Sequence, residues 1–260
     1  MMKTRIITIS NNKGGVAKTT TVVNLLYALA RKGHKVLGID LDPQRNLSIA
    51  LGAKSKITIA NTFNDYINMN GDNPILPIEN VKENLDMVGA SPMLEGMEQM
   101  LVAQPAREQI LSTFIRSTLE HTKYDFIIID TRPSLGVLTT NAIVASTDII
   151  VPIETDFFAI QGVLDLINKL KRIIQLTKPD LNILGFVATK YNKGLNMNDN
   201  ALKHLFDTYG EVMFNTVIRK NIALSESISK GVSIFDYRAA SKGAEDYDNL
   251  SDEIITRLKE

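Results

Sequence analysis

A short β-branched run from Arg5 to Ser10 breaks into a loop bearing lysine and glycine, and the loop opens directly into an amphipathic helix. The loop reads Asn11-Asn12-Lys13-Gly14-Gly15-Val16-Ala17-Lys18-Thr19-Thr20, and Val22, Val23, Leu25, Leu26, Leu29 and Ala30 then recur at helical spacing. A buried strand that turns at once into a helix is half of a β-α-β unit, so this segment commits the chain to a parallel sheet. Gly14 and Gly15 let successive backbone N–H groups turn inward, where side chains would obstruct them. Together with the unpaired N–H groups and the dipole at the helix start, they form a cradle for phosphate oxygens. Lys18 neutralises the β- and γ-phosphates of a bound nucleotide, and the Thr19 hydroxyl is a hard oxygen suited to Mg²⁺. An ordinary glycine turn does not require a Lys-Thr pair at this spacing.

The same alternation continues along the 260 residues. Strands are expected at 5–10, 35–40, 85–90, 126–130, 148–153, 183–189 and 212–218, most of them as unbroken apolar runs. Strands buried on both faces read this way, which predicts a doubly wound, mostly parallel α/β sheet with helices on both faces. Helices are expected at 18–32, 106–121, 136–146, 160–176, 198–209 and 244–259, and residues 54–104 form a helical excursion within one domain spanning 1–260. At 44% hydrophobic and 22% charged, the chain can bury one large core.

Composition removes several chemistries. With no cysteine there are no disulfides, no thiolate zinc sites and no cysteine-held iron–sulfur cluster, a pattern that fits a reducing cytoplasm. The three histidines, His34, His121 and His204, are scattered and read as surface residues. Net charge is zero, so any nucleic-acid contact must come from a local patch. The apolar run after Arg5 is only Ile6-Ile7-Thr8-Ile9, too short for a signal peptide, and no stretch approaches the ~20 apolar residues of a membrane span.

Carboxylates stand where two further strands end. Asp40 and Asp42 lie two residues apart at the end of Val36-Leu37-Gly38-Ile39, and they point the same way if the strand continues. Ligands of open parallel sheets bind at the carboxyl ends of strands, so this pair is expected near the phosphate loop. The alternative is a cap and turn before Pro43. Phe126-Ile127-Ile128-Ile129-Asp130 is an apolar strand with a terminal carboxylate, the form of a Walker B motif, and Asp130 is expected to hold Mg²⁺ directly or through water.

The run K-G-G-x-x-K-T resembles the deviant phosphate loop of the ParA/MinD group of P-loop ATPases. The resemblance continues in Asp40-Leu41-Asp42-Pro43-Gln44, in Asp130-Thr131-Arg132-Pro133-Ser134, and in blocks around Val151–Gly162, Thr189–Asn192, Ile218–Asn221, Leu224–Glu226 and Ser241–Tyr247. It is closest to the short ParA/Soj partition ATPases, which lack an N-terminal helix-turn-helix extension. The resemblance implies a P-loop NTPase whose cofactors are ATP and Mg²⁺, bound by Lys13, Gly14, Gly15, Val16, Ala17, Lys18, Thr19 and Thr20. It implies catalytic roles for Lys13, Lys18 and Asp42: Lys13 reaches the partner's nucleotide across a homodimer, and Asp42 orients the attacking water. Asp40 is assigned to the metal shell or to loop support, beside the metal residues Thr19 and Asp130.

Further implications are a ParB-class centromere-binding protein as partner and non-specific DNA as the surface bound. Lys190, Lys193, Arg219 and Lys220 are the candidate phosphate contacts, against the alternative of a solvated face. A cytoplasmic protein, nucleoid-associated when ATP-bound, is expected. Several residues depart from the family pattern. Ala17 replaces a glycine, and in the I-P-R-N block Arg219 stands in the column of the proline and Lys220 in that of the arginine. Arg132 replaces a proline in a loop expected to sense nucleotide state, where phosphate and a partner are both open as its contact. A MinD-like membrane role is the alternative, but the stripe Tyr247, Leu250, Ile254, Leu258 is flanked by Asp246, Asp248, Asp252 and Glu253, which anionic lipid repels. A dethiobiotin-synthetase-like enzyme is the third reading.

Overall fold

In the computed structural model, which describes residues 3–68, 74–177 and 180–259, the β-branched runs form seven strands. They are β1 (Arg5–Ile9), β2 (Val36–Asp40), β3 (Glu79–Lys82), β4 (Leu85–Val88), β5 (Phe126–Asp130), β6 (Asp148–Glu154) and β7 (Asn182–Thr189). The sheet order is β3-β4-β2-β5-β1-β6-β7, with every neighbouring pair parallel except the edge strand β3. The helices are α1 (Lys18–Arg31), α2 (Asn46–Ala50), α3 (Ile59–Asn68), α4 (Leu94–Leu101), α5 (Ile110–His121) and α6 (Val137–Ala145). They continue as α7 (Phe157–Thr177), α8 (Asn196–Tyr209), α9 (Ile222–Ser229), α10 (Ile234–Arg238) and α11 (Lys242–Arg257).

Both sheet faces are buried, as the unbroken apolar strands require. Along β5 the side chains alternate between two cores: Phe126 and Ile128 pack with Leu25, Leu29 and Leu250, while Ile127 and Ile129 pack with Phe63, Leu94 and Phe114. A third core lies around β6 and β7, where Ile149, Val151 and Phe186 meet Leu166 and Leu205. The stripe on α11 belongs to the first core, with Tyr247, Leu250 and Ile254 fully buried. No described helix is long and apolar enough to cross a membrane.

Register then positions the chemistry. Asp130 lies level with Ile9 of β1 on one side and with Asp40 of β2 on the other. The phosphate loop therefore leaves the sheet beside both carboxylates.

Two expectations are corrected. Residues 212–218 form no strand; they meet β7 at the isolated Phe186↔Met213 bridge and through the N–H groups of Phe214 and Ile218, which donate to Phe186 and Ala188. The carboxylate of Glu253 takes the N–H groups of Asn215 and Thr216 at 2.8 and 2.9 Å, diverting donors that a ladder would need. The excursion at 54–104 is not purely helical: it contains the β3–β4 hairpin, turned through Asn84 in the left-handed region at φ 61°. Residues 69–73 of that excursion, and the side chains of residues 157–162 in the Val151–Gly162 block, lie outside what is described.

Leu250, on α11, is buried with no exposure in the core that it shares with α1 and β5. Leu250→Ala should therefore destabilise the chain by about 2–5 kcal/mol, read as a lowered urea midpoint with an unchanged denaturant slope.

Candidate nucleotide site

The loop after β1 is pinned at several points. Asn11 donates from Nδ2 to the carbonyl of Pro152 at 2.7 Å and accepts the Lys13 N–H at 2.9 Å. Thr189 donates to the carbonyl of Val16, which is itself buried. Gly15 stands at φ 75° and Ala17 at φ 69°, so the chain turns through the left-handed region twice within three residues. For Ala17 this costs roughly 1–2 kcal/mol that glycine avoids. Helix α1 starts with no side-chain cap and no acidic residue in its first turn, leaving its N–H groups turned toward the cleft without a competing anion.

Lys18 is buried and curls back over the loop, donating to the carbonyl of Lys13 at 3.0 Å. Burial lowers its pKa, while Asp130 and Asp42 pull it back up. The Thr19 hydroxyl donates to Asp130 Oδ2 at 2.7 Å. The other oxygen, Oδ1, is the one buried side-chain polar atom among the described residues with no hydrogen-bond partner. Burial and the neighbouring Asp40 push Asp130 up to about 8. A carboxylate held in this way is short of positive charge. Its free oxygen beside a threonine hydroxyl is a donor set that suits Mg²⁺ once phosphate oxygens complete the shell. No group of three His, Asp or Glu among the described residues could hold a metal without such help.

The two aspartates of β2 take different places. Asp42 lines the cleft and accepts the Gln44 N–H at 2.9 Å, so it forms the local turn and still faces the phosphate loop. Asp40 is fully buried. Its Oδ1 accepts the Asp42 N–H at 3.0 Å, and its Oδ2 accepts from the backbone and hydroxyl of Ser48 at 2.8 and 2.7 Å. Of the two expected roles, the geometry gives Asp40 loop support rather than the metal shell. Burial raises its pKa to about 6 against those hydrogen bonds.

The cleft itself encloses about 790 Å³, a size suited to a nucleotide. Beyond the phosphate loop it runs to Asn192, Ile218, Asn221 and Ile222, and Tyr247 contributes to its wall. Asn221 spends its Oδ1 capping α9, accepting the Ala223 N–H at 2.9 Å. Lys13 leaves the loop and pairs with Asp156 at 2.8 Å and Glu154 at 3.9 Å.

Residues 4–183 match the AAA domain family. The chain is 34% identical to the chromosome-partitioning ATPase Soj of Treponema pallidum over 95% of both chains. The chain belongs to the ParA/Soj family of P-loop ATPases. Among solved structures it is similar to a cobyrinic acid a,c-diamide synthase from Mycobacterium smegmatis with a bound ATP analog and magnesium. That likeness has a TM-score of 0.82 and 30% identity, covering 99% of this chain and 96% of the other. It is also similar to the septum site-determining protein MinD of Pyrococcus horikoshii complexed with Mg-ADP, with TM-score 0.74 and 27% identity over 99% of both chains.

On this ParA/Soj chain the four basic candidates part company. Arg219 is consumed internally: it binds Asp246 through Nε and Nη2 and Glu245 through Nη2, so its charge is cancelled on the protein. Lys190 lines the nucleotide cleft and pairs with Glu154 at 3.3 Å. Both side chains stay partly exposed, 41% for Lys190 and 31% for Arg219, with their charge shared with carboxylates of the same chain. Lys193 and Lys220 are exposed, and the Lys220 N–H donates to the Tyr191 carbonyl, which brings the two segments side by side. Sequence reasoning missed two neighbours: Arg238 and Lys242 face the same shallow hollow as Lys220, an arrangement made by the chain returning through α10 and α11. Arg132, for which phosphate or a partner is the expected contact, pairs within this chain with Glu98 of α4 at 2.6 Å.

Asp40 and Asp130 both have folded-state pKa values above the ordinary carboxylate range, so the folded chain binds more protons than the unfolded one as pH rises past 4. Their contribution is full in acid and is lost as pH climbs through about 6 and then about 8. Without nucleotide and metal, Asp130→Asn should flatten this decline. Urea midpoints of the variant and wild type should diverge in the variant's favour toward pH 9, roughly one pH unit past the folded value; parallel curves would contradict it.

Proposed function

We propose that this chain is an ATP-driven partition switch: ATP joins two copies, the pair binds DNA without sequence preference, and hydrolysis releases it. The observation that carries this reading is the division of labour between the loop's two lysines. Lys18 lies over its own loop, whereas Lys13 leaves it, half-exposed, for Asp156 and Glu154. A lysine with no place over its own phosphates is suited to a neighbour's. Leu195 and Ile222 line the cleft yet are 47% and 74% exposed, apolar surface that a second copy would cover.

In the proposed reaction, water held by Asp42 attacks the γ-phosphorus, the bond to the β-phosphate oxygen breaks, and ADP and phosphate leave. Lys18 and the N–H groups of the loop and α1 stabilise charge on the phosphate oxygens. Thr19 and Asp130 would hold Mg²⁺, which supplies further neutralisation of the β- and γ-oxygens when bound. Lys13 of the second copy completes the site. Asp40 acts through Asp42, whose N–H it holds.

Lys193 and Lys220, with Arg238 and Lys242, are the proposed DNA-phosphate contacts. Each is exposed, and none has an ion pair among the described residues. A ParB-class protein is the proposed partner that stimulates hydrolysis, and the chain is proposed to be cytoplasmic and to gather on the nucleoid when ATP-bound. A MinD-like role at a membrane is disfavoured because the apolar stripe of α11 is spent in the core.

The test is a gel shift of non-sequence-specific duplex with the Asp42→Ala variant, which should bind ATP without turning it over. A shift should require ATP, and affinity should fall with salt by about 0.9 log unit per log unit of salt for each phosphate contacted. Adding Lys13→Ala should abolish the ATP-dependent dimer in light scattering. Absent or salt-independent DNA binding would turn the reading toward a metabolic ATP-using enzyme, and ATP-dependent binding to anionic vesicles toward MinD.

A further inference from the structure

The loop that follows Asp130 is gripped from outside the cleft by one carboxylate. Glu98, on α4, accepts from Arg132 Nη1 through Oε2 at 2.6 Å. Its other oxygen, Oε1, lies 3.4 Å from the Leu138 N–H in the first turn of α6. The same oxygen fills the space beside Gly136, where any side chain would collide with it. Both partners of the ion pair are half-buried, with side-chain exposures of 27% for Arg132 and 17% for Glu98. The pair is thus less screened by solvent than a fully exposed bridge.

Side chains alternate along the gripped segment. Thr131 and Pro133 line the nucleotide cleft, and Arg132 between them turns away to α4. Thr131 in turn donates to the carbonyl of Ile9, at the root of the phosphate loop. Glu98 thus joins Arg132, near the start of the loop, to Leu138, just past its end, while Thr131 and Pro133 on either side of Arg132 form cleft wall.

We infer that Glu98 is a positioning residue: through Arg132 and the start of α6 it holds the 131–136 loop, and with it Asp130, in the geometry needed for hydrolysis. The inference rests on the proposed metal role of Asp130. The ion pair depends on Arg132, the residue by which this chain departs from the family pattern at that loop.

The experiment compares Glu98→Gln, Arg132→Gln and the double variant with wild type by two readouts. In the nucleotide-free protein, hydrogen–deuterium exchange should quicken in residues 131–138 and stay unchanged in the phosphate loop. In ATP hydrolysis, kcat should fall roughly tenfold, within the penalty that small displacements of reacting groups carry, and KM for ATP should stay within about twofold. The double variant should be no worse than either single one, the signature of one shared interaction. Arg132→Lys, which keeps the ion pair, should restore most of kcat. Additive losses, or a lowered melting temperature with kcat and local exchange unchanged, would overturn the inference. Asp130→Asn, assayed alongside, separates the two readings. If it retains Mg²⁺-dependent turnover, the metal assignment fails whatever the Glu98 variants do.

Discussion

Everything in the site depends on the register of three parallel strands. Because β5 lies between β1 and β2, with Asp130 level with Ile9 and Asp40, one strand end carries a carboxylate to the root of the phosphate loop. The hydrogen bond from Thr19 to Asp130 then closes the gap between loop and sheet at 2.7 Å. A slip of one residue would turn Asp130 to the other face of the sheet and Ile129 into the site. The alternation of Ile127, Ile128 and Ile129 between two separate cores penalises such a slip, so core packing and site geometry are enforced by the same contacts.

Around that register the chain gathers more negative charge than it can neutralise alone. Asp40, Asp42 and Asp130 stand together with Lys18 as the cation among them, and burial raises the pKa of both Asp40 and Asp130. Each aspartate is nevertheless held differently. Asp40 is spent on backbone and on Ser48, Asp42 shapes its own turn at the cleft, and Asp130 keeps one oxygen free. The cleft is thus polarised, with a carboxylate awaiting a cation opposite a ring of N–H groups awaiting an anion. A metal–phosphate pair satisfies both sides together.

Much of this is legible in the sequence for a physical reason. Unbroken apolar strands can only be buried on both faces, and a glycine loop between strand and helix has few other uses. The roles within the acidic set are less legible. Two aspartates two residues apart look equivalent until hydrogen bonds show that Ser48, eight residues on, claims the first. Long-range ion pairs are invisible for the same reason. Arg219 reads as a free cation, yet α11 delivers Asp246 and Glu245 to it, and Arg132 reads as a phosphate or partner contact, yet α4 delivers Glu98. The run at 212–218 has strand composition, but the Glu253 carboxylate captures its donors from a distant helix. Local pattern reveals which elements exist, whereas partners far along the chain determine which charges remain available.

The central claim is that this loop binds the phosphates of ATP through Lys18. Titration calorimetry of ATP with Mg²⁺ into the wild-type chain and Lys18→Ala tests it most directly. Loss of a buried, charge-paired lysine should cost about 2–5 kcal/mol of binding, a weakening of roughly 30-fold or more. Wild-type affinity in the variant would contradict the account.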